Sequence, residues 1–156
     1  MVSFSSSILA NRALNIGRKK VLVFAANTRD KQFLSLRSEI DKIKSIAGPK
    51  NVGVCLNATT EDLYNYLSES RLPQIIHFCG HGLPDGLILV DSDGKAHKDP
   101  AQALSNLFER VSRKGVKCDF LNTCYSEEIA EAISQHVDFV VGLVSEKSCC
   151  VAIHIS

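Results

Sequence analysis

From Lys20 to Ala26 the chain runs KVLVFAA, a nearly continuous apolar stretch of strand length. A strand covered on both faces of a parallel sheet has this pattern. Apolar residues at Phe33, Leu34, Leu36, Ile40, Ile43 and Ile46 then recur mostly at helical spacing, predicting a helix over 31–47 that Gly48-Pro49 ends. A second strand is predicted over 51–56. Thr60 is placed to cap a helix carrying Leu63, Tyr66 and Leu67, with Glu61 and Asp62 in the first turn, where the macrodipole favours acids. Pro73 opens a third strand over 74–79, which runs into Gly80-His81-Gly82. Leu87 to Val90 followed by Asp91-Ser92-Asp93-Gly94 has the form of a hairpin arm and its turn. Asp99-Pro100 starts a helix that continues through Lys114 and stops at Gly115. A fourth strand over 116–121 leads into Asn122-Thr123-Cys124, Ser126 caps a helix beginning with Glu127 and Glu128, and a fifth strand covers 137–144.

Strand and helix thus alternate about five times, the signature of an α/β three-layer sandwich with a mostly parallel sheet. The flavodoxin-like strand order 2-1-3-4-5 is expected, with one domain over 19–156 and a tail or linker over 1–18. The first twenty residues are Ser-rich, basic and free of acids, a composition shared by organelle transit peptides and by plain N-terminal tails. The tail reading, with a cytoplasmic location, is preferred. Charge adds little, since 18 Lys and Arg stand against 17 Asp and Glu. No nucleic-acid or anionic-membrane partner is expected from that balance. No apolar run reaches the length of about 18 residues needed to cross a bilayer. Of the six cysteines, several lie inside apolar strand-like runs, which suits reduced thiols better than a disulfide framework.

In open parallel sheets, ligands and reacting groups gather at the carboxyl ends of the strands. His81 and Cys124 both fall there, just past the third and fourth strands, which are neighbours in the expected order. A thiol is a nucleophile when deprotonated, and a nearby imidazole or helix N-terminus favours that state. Cys124 precedes the helix near Ser126 and faces the expected place of His81. Gly82 lets its backbone amide approach a substrate carbonyl, so the Gly82 and Cys124 amides form a candidate oxyanion hole, each donor worth about 2.7–4 kcal/mol in a well-built site. Cys55, Cys79 and Cys118 fit the ordinary role of buried, inert core thiols, and His77 that of a packed or supporting histidine. A zinc site from His77, Cys79, His81 and Cys124 lacks the paired short spacings of structural zinc sites, so no metal is expected.

Four segments in order, KVLVFAAN (20–27), PQIIHFCGHG (73–82), GLILVDSDG (86–94) and FLNTCYS (120–126), resemble the CHAT domain, a caspase-like family of cysteine proteases. The following EEIAEAISQHVDFVVG (127–142) is similar to the helix and strand after the family's nucleophile, so the resemblance covers about 19–144. It implies that His81 is the general base, Cys124 the nucleophile, and the reaction cysteine-type endopeptidase hydrolysis through an acyl-enzyme, without cofactor. A protein or peptide substrate and an activating adaptor or repeat-domain partner are implied with it. The residue two before the nucleophile lines the P1 pocket in related proteases; here it is Asn122, which is neutral, and Arg29 and Asp30 at the same sheet edge are further pocket candidates.

Two departures matter. The motif before the nucleophile is Asn-Thr-Cys rather than the Gln-Ala-Cys of true caspases. After the fifth strand, family members continue into a helix and further sheet structure, whereas residues 147–156 are expected to hold only the start of that helix, leaving the domain incomplete and apolar surface uncovered. The competing readings are a pseudoprotease acting as a binding or regulatory module, and a flavodoxin-like nucleotide binder. The second wants a Gly-rich phosphate loop after the first strand, which Ala25 to Asp30 does not supply.

Overall fold

The computed structural model describes residues 19–31, 34–143 and 151–155, the last five and Leu143 by their backbone. The N-terminal tail and the cysteines at 149 and 150 lie outside the described residues. The expected α/β architecture is present. Strands β1 (Val21–Ala26), β2 (Val52–Leu56), β3 (Ile75–Gly80), β7 (Cys118–Asn122) and β8 (Phe139–Leu143) form one parallel sheet in the order β2-β1-β3-β7-β8. A short second sheet, antiparallel β4 (Gly82–Leu83), β5 (Gly86–Val90) and β6 (Ala96–Pro100), is inserted between β3 and the next helix.

Strand β1 is buried along its whole length, as an unbroken apolar run between two helical layers must be. Its alternate residues serve two different cores. Leu22, Phe24 and Ala26 join Ile76, Phe78, Leu121 and Val140 against helices α2 (Thr60–Leu67), α3 (Ala101–Val111) and α4 (Glu127–Ser134). Val21, Val23 and Ala25 turn the other way, joining Val52 and Cys79 against Ile40 of α1 (Leu36–Ala47). Three layers result, with α1 the one helix on the second face among the described residues. It leaves Phe120 of β7 and Phe139 of β8 37% and 47% exposed.

Local capping refines the expected boundaries. Thr59, not Thr60, caps α2: its hydroxyl accepts from the Asp62 N–H and the Asp62 carboxylate accepts from the Thr59 N–H, a reciprocal box that needs the acid at the third helical position. Thr60 instead donates to Asp99, tying α2 to the end of β6. Asp99 and Pro100 close β6 rather than opening the helix, which begins at Ala101. Ser126 stands at the N-cap of α4 but its hydroxyl donates back to the Leu121 carbonyl, so it secures the turn after β7 instead of capping. The hairpin turn forms as expected, with the Asp91 carboxylate accepting from the N–H groups of Asp93 and Lys95.

The C-terminal expectation is corrected. Val151–Ile155 is a strand, β9, antiparallel to β8 with Leu143 opposite Val151 and Phe139 opposite Ile155. The last segment therefore extends the sheet by one strand and covers the edge of β8, where the start of a helix was expected. No helix among the described residues is long and apolar enough to cross a membrane.

One core group is at odds with its surroundings. Asp119 of β7 is fully buried, and neither carboxyl oxygen makes a well-formed hydrogen bond, the Phe120 N–H being a weak local partner. Burial pushes its carboxyl well above the ordinary value. A raised folded-state value favours the protonated form, so its contribution to stability is fully present below the unfolded value of about 3.9 and is lost as pH rises through the folded one. The urea midpoint of the wild type should therefore fall with rising pH relative to that of Asp119→Asn, which carries no ionisable proton there. Parallel pH profiles for the two proteins would show that Asp119 ionises as freely folded as unfolded.

Candidate functional site

The carboxyl edge of β3 and β7 is built by register. Cys79 lies opposite Asn122 in the last described pair of the two parallel strands. Two residues further on, just past the ends of these strands, come His81 and Cys124; neighbouring strands in a sheet are about 4.8 Å apart. Close approach is enforced next to them. A Cβ placed on Gly82 would lie 2.2 Å from the Cys124 carbonyl oxygen and 3.0 Å from the Thr123 side chain, so only glycine fits. Gly80 is held in the same way, with a hypothetical Cβ 2.8 Å from the Ala26 carbonyl oxygen of β1. The two glycines flanking His81 therefore allow the turn to lie directly on its neighbours.

The Gly82 amide has a defined setting. The Ile88 N–H donates to the His81 carbonyl at 3.1 Å, which makes Gly82 and Leu87 a non-hydrogen-bonded pair of the β4–β5 ladder. That ladder leaves the Gly82 N–H unused. Beyond Cys124, Tyr125 has φ of 55°, a left-handed conformation that is rare for a bulky residue. The chain thus turns sharply between β7 and α4 immediately after the thiol. A groove of about 180 Å³ lined by Pro84, Tyr125, Glu127 and Glu128 adjoins this turn.

The four described cysteines are all free thiols, and Cys124 is the one among them that lies in a loop. Cys55 and Cys79 sit within strands, where burial pushes each thiol up to about 12, with the charge of a nearby carboxylate adding to it. Burial raises Cys118 as well. Burial thus disfavours the thiolate form in all three.

The three P1-pocket candidates have other contacts in this structure. The Arg29 N–H donates to the Gly94 carbonyl and the Asp30 carboxylate accepts from the Ala96 N–H, so both fasten the loop after β1 to the β5–β6 turn. Asn122 points its amide toward α1, donating to Glu39 Oε1 at 2.7 Å. Glu39 is also the partner of His77, whose Nε2 lies 2.6 Å from the same oxygen while its ring stacks on Phe120 at 5.1 Å. Burial raises the Glu39 carboxyl, but the hydrogen bonds from His77 and Asn122 outweigh it and hold the group below its ordinary value. Facing an ionised carboxylate, His77 Nε2 is the donor. Glu39 itself was not foreseen, although it is an acid three residues after Leu36 and four before Ile43, on the apolar stripe of α1.

A larger cavity of about 630 Å³ lies elsewhere, between α1 and the ends of β1 and β2, lined by residues including Asn27, Arg37, Ile40 and Leu56. Neither His81 nor Cys124 borders it.

Fold and edge together define a parallel α/β domain with a histidine and a cysteine at adjacent strand ends. No protein-family model and no curated protein matches the chain. Among solved structures it is similar over 89% of its length to the apo form of CalE6, a methionine gamma lyase from Micromonospora echinospora, at 15% identity and a TM-score of 0.39. The chain spans about a third, 32%, of the length of that lyase, and a likeness at this level carries no argument about activity.

The packing at Gly82 sets a direct expectation. Gly82→Ala should cost about 1–3 kcal/mol, the usual penalty for overpacking, because backbone must yield on one side. Thermal unfolding would register the loss, and a variant as stable as the wild type would show that the turn does not lie against Cys124.

Proposed function

We propose that this domain is a cysteine-type endopeptidase in which Cys124 attacks a peptide carbonyl and His81 takes the thiol proton and returns it to the leaving amine. The observation that carries this reading is the approach of the His81-Gly82 turn to Cys124, where a Cβ at Gly82 would lie 2.2 Å from the Cys124 carbonyl oxygen. The reading also draws on the resemblance of the 73–82 and 120–126 segments to CHAT domains. In it, the Gly82 N–H not used by β5 and the Cys124 N–H stabilise the oxyanion of the tetrahedral intermediate. Water then releases the acyl group from Cys124, with His81 as base. In this reading Asn122, Arg29 and Asp30 are candidates for the pocket edge, each of them also held by the contacts described above. The substrate is a protein or peptide, met in a reducing, cytoplasmic compartment, and an adaptor or repeat-domain protein is the proposed activator.

A second reading is a binding module in which the dyad is idle, and the exposed rings of Phe120 and Phe139 on the face left open by α1 favour it. Alkylation separates the two. The rate at which a small electrophile modifies Cys124, followed against pH by mass spectrometry, should be fast near neutrality and fall by about 10²-fold in His81→Ala. A rate equal to that of the buried cysteines, and indifferent to His81, would leave the binding module.

A further inference from the structure

We propose that Glu39, His77 and Cys79 form a binding site for one divalent transition-metal ion of the zinc type, beneath the carboxyl edge of β3 and β7 and distinct from the His81–Cys124 pair. The ligand atoms of these three residues all lie within 4.8 Å of one another. A tetrahedral ion with bonds of about 2.0–2.3 Å holds its ligands roughly 3.3–3.8 Å apart, so the cluster needs only a small rearrangement to close on it. The principal movement is at Glu39, whose oxygen now stands 2.6 Å from His77 Nε2. Its side chain is 24% exposed and able to turn, whereas His77 and Cys79 are buried on a central strand.

The donor set is selective. One imidazole, one thiolate and one carboxylate suit zinc and its neighbours, and not magnesium or calcium, which take oxygen ligands throughout. A thiolate and a carboxylate also match the charge of a divalent cation, so the occupied site is neutral where burial would penalise net charge. Binding replaces the proton on His77 Nε2 and the thiol proton of Cys79, so proton release accompanies it. Three protein ligands leave a fourth position for water, as in open zinc sites. The supporting contacts needed around such ligands are already present: the Asn122 amide donates to Glu39, and Phe120 stacks on the imidazole with its plane 15° away.

Sequence spacing hides this group, because His77 and Cys79 are an i, i+2 pair on one strand face and the third ligand comes from α1, 38 positions upstream of His77. An ion there would fasten α1 to β3 and, through Asn122, to the strand that carries Cys124. Ligation of the folded state alone stabilises it by mass action.

Cobalt(II) is the probe, added to the full chain bearing Cys124→Ser so that the dyad thiol cannot hold it. One equivalent should bind with a thiolate-to-cobalt charge-transfer band, raise the melting temperature, and lose the band when Cys79→Ser is added. Glu39→Gln, at a partly exposed helical position, should weaken binding even if the buried Cys79→Ser protein folds poorly. Absence of a band, or a band that survives Cys79→Ser because other thiols supply it, would overturn the site and leave Glu39 and His77 as a hydrogen-bonded pair.

Discussion

Strand β3 is hydrogen-bonded on both edges in parallel, to β1 from Ile75 opposite Val21 to Gly80 opposite Ala26, and to β7 from Ile75 opposite Cys118 to Cys79 opposite Asn122. Parallel pairing makes every one of these strands leave the sheet at the same edge, so the residues after Gly80 and after Asn122 must emerge side by side. What happens next depends on whether backbone can lie against backbone. Gly80 meets the Ala26 carbonyl and Gly82 meets the Cys124 carbonyl, at separations that no Cβ tolerates. The register brings the histidine and the cysteine to one place, and the glycines remove the bulk that would hold them apart. A side chain at Gly82 would push the turn after His81 away from Cys124 without touching either side chain.

The same register assigns side chains to faces. On β3, Ile76 and Phe78 enter the larger core while His77 and Cys79 turn toward α1, and on β7 Leu121 and Asn122 divide in the same way. Among the described residues the α1 face is covered by one helix, and its buried cluster is the smaller of the two. A carboxylate can sit there because it is partly open to solvent and receives hydrogen bonds from both His77 and Asn122. Asp119 has no such partners on the opposite face, and burial there pushes its carboxyl up. Two acids from the same domain are thus driven in opposite directions by how much donor chemistry their layer supplies.

Much of the architecture was legible in the residues. KVLVFAA announces a strand buried on both sides, the alternation of strand and helix announces the parallel sheet, and a glycine-flanked histidine at a strand end marks the edge where chemistry collects. Three features were not legible, for separate reasons. The cap of α2 belongs to Thr59 because a reciprocal box needs Asp62 three residues on, whereas Thr60 satisfies only the weaker rule that a hydroxyl precedes the helix. Glu39 was invisible because its partners come from β3 and β7, and nothing along one strand indicates which helix will cover it. The strand Val151–Ile155 shows a signal that was present and outweighed: Val151, Ile153 and Ile155 are β-branched residues at period two, while the expected helix came from resemblance.

That last strand changes the physical status of the domain edge. Without it, β8 would present a row of unpaired N–H and C=O groups beside the exposed ring of Phe139, the combination that recruits another chain. With β9 paired from Leu143–Val151 to Phe139–Ile155, the backbone of β8 is paired on that edge, and the Phe120 and Phe139 rings remain exposed on a face of the sheet. A face gives a partner contact area but no ladder, so a protein that docks there must do so by side-chain packing. Such a contact would lie across β7, the strand that ends at Asn122, two residues before Cys124.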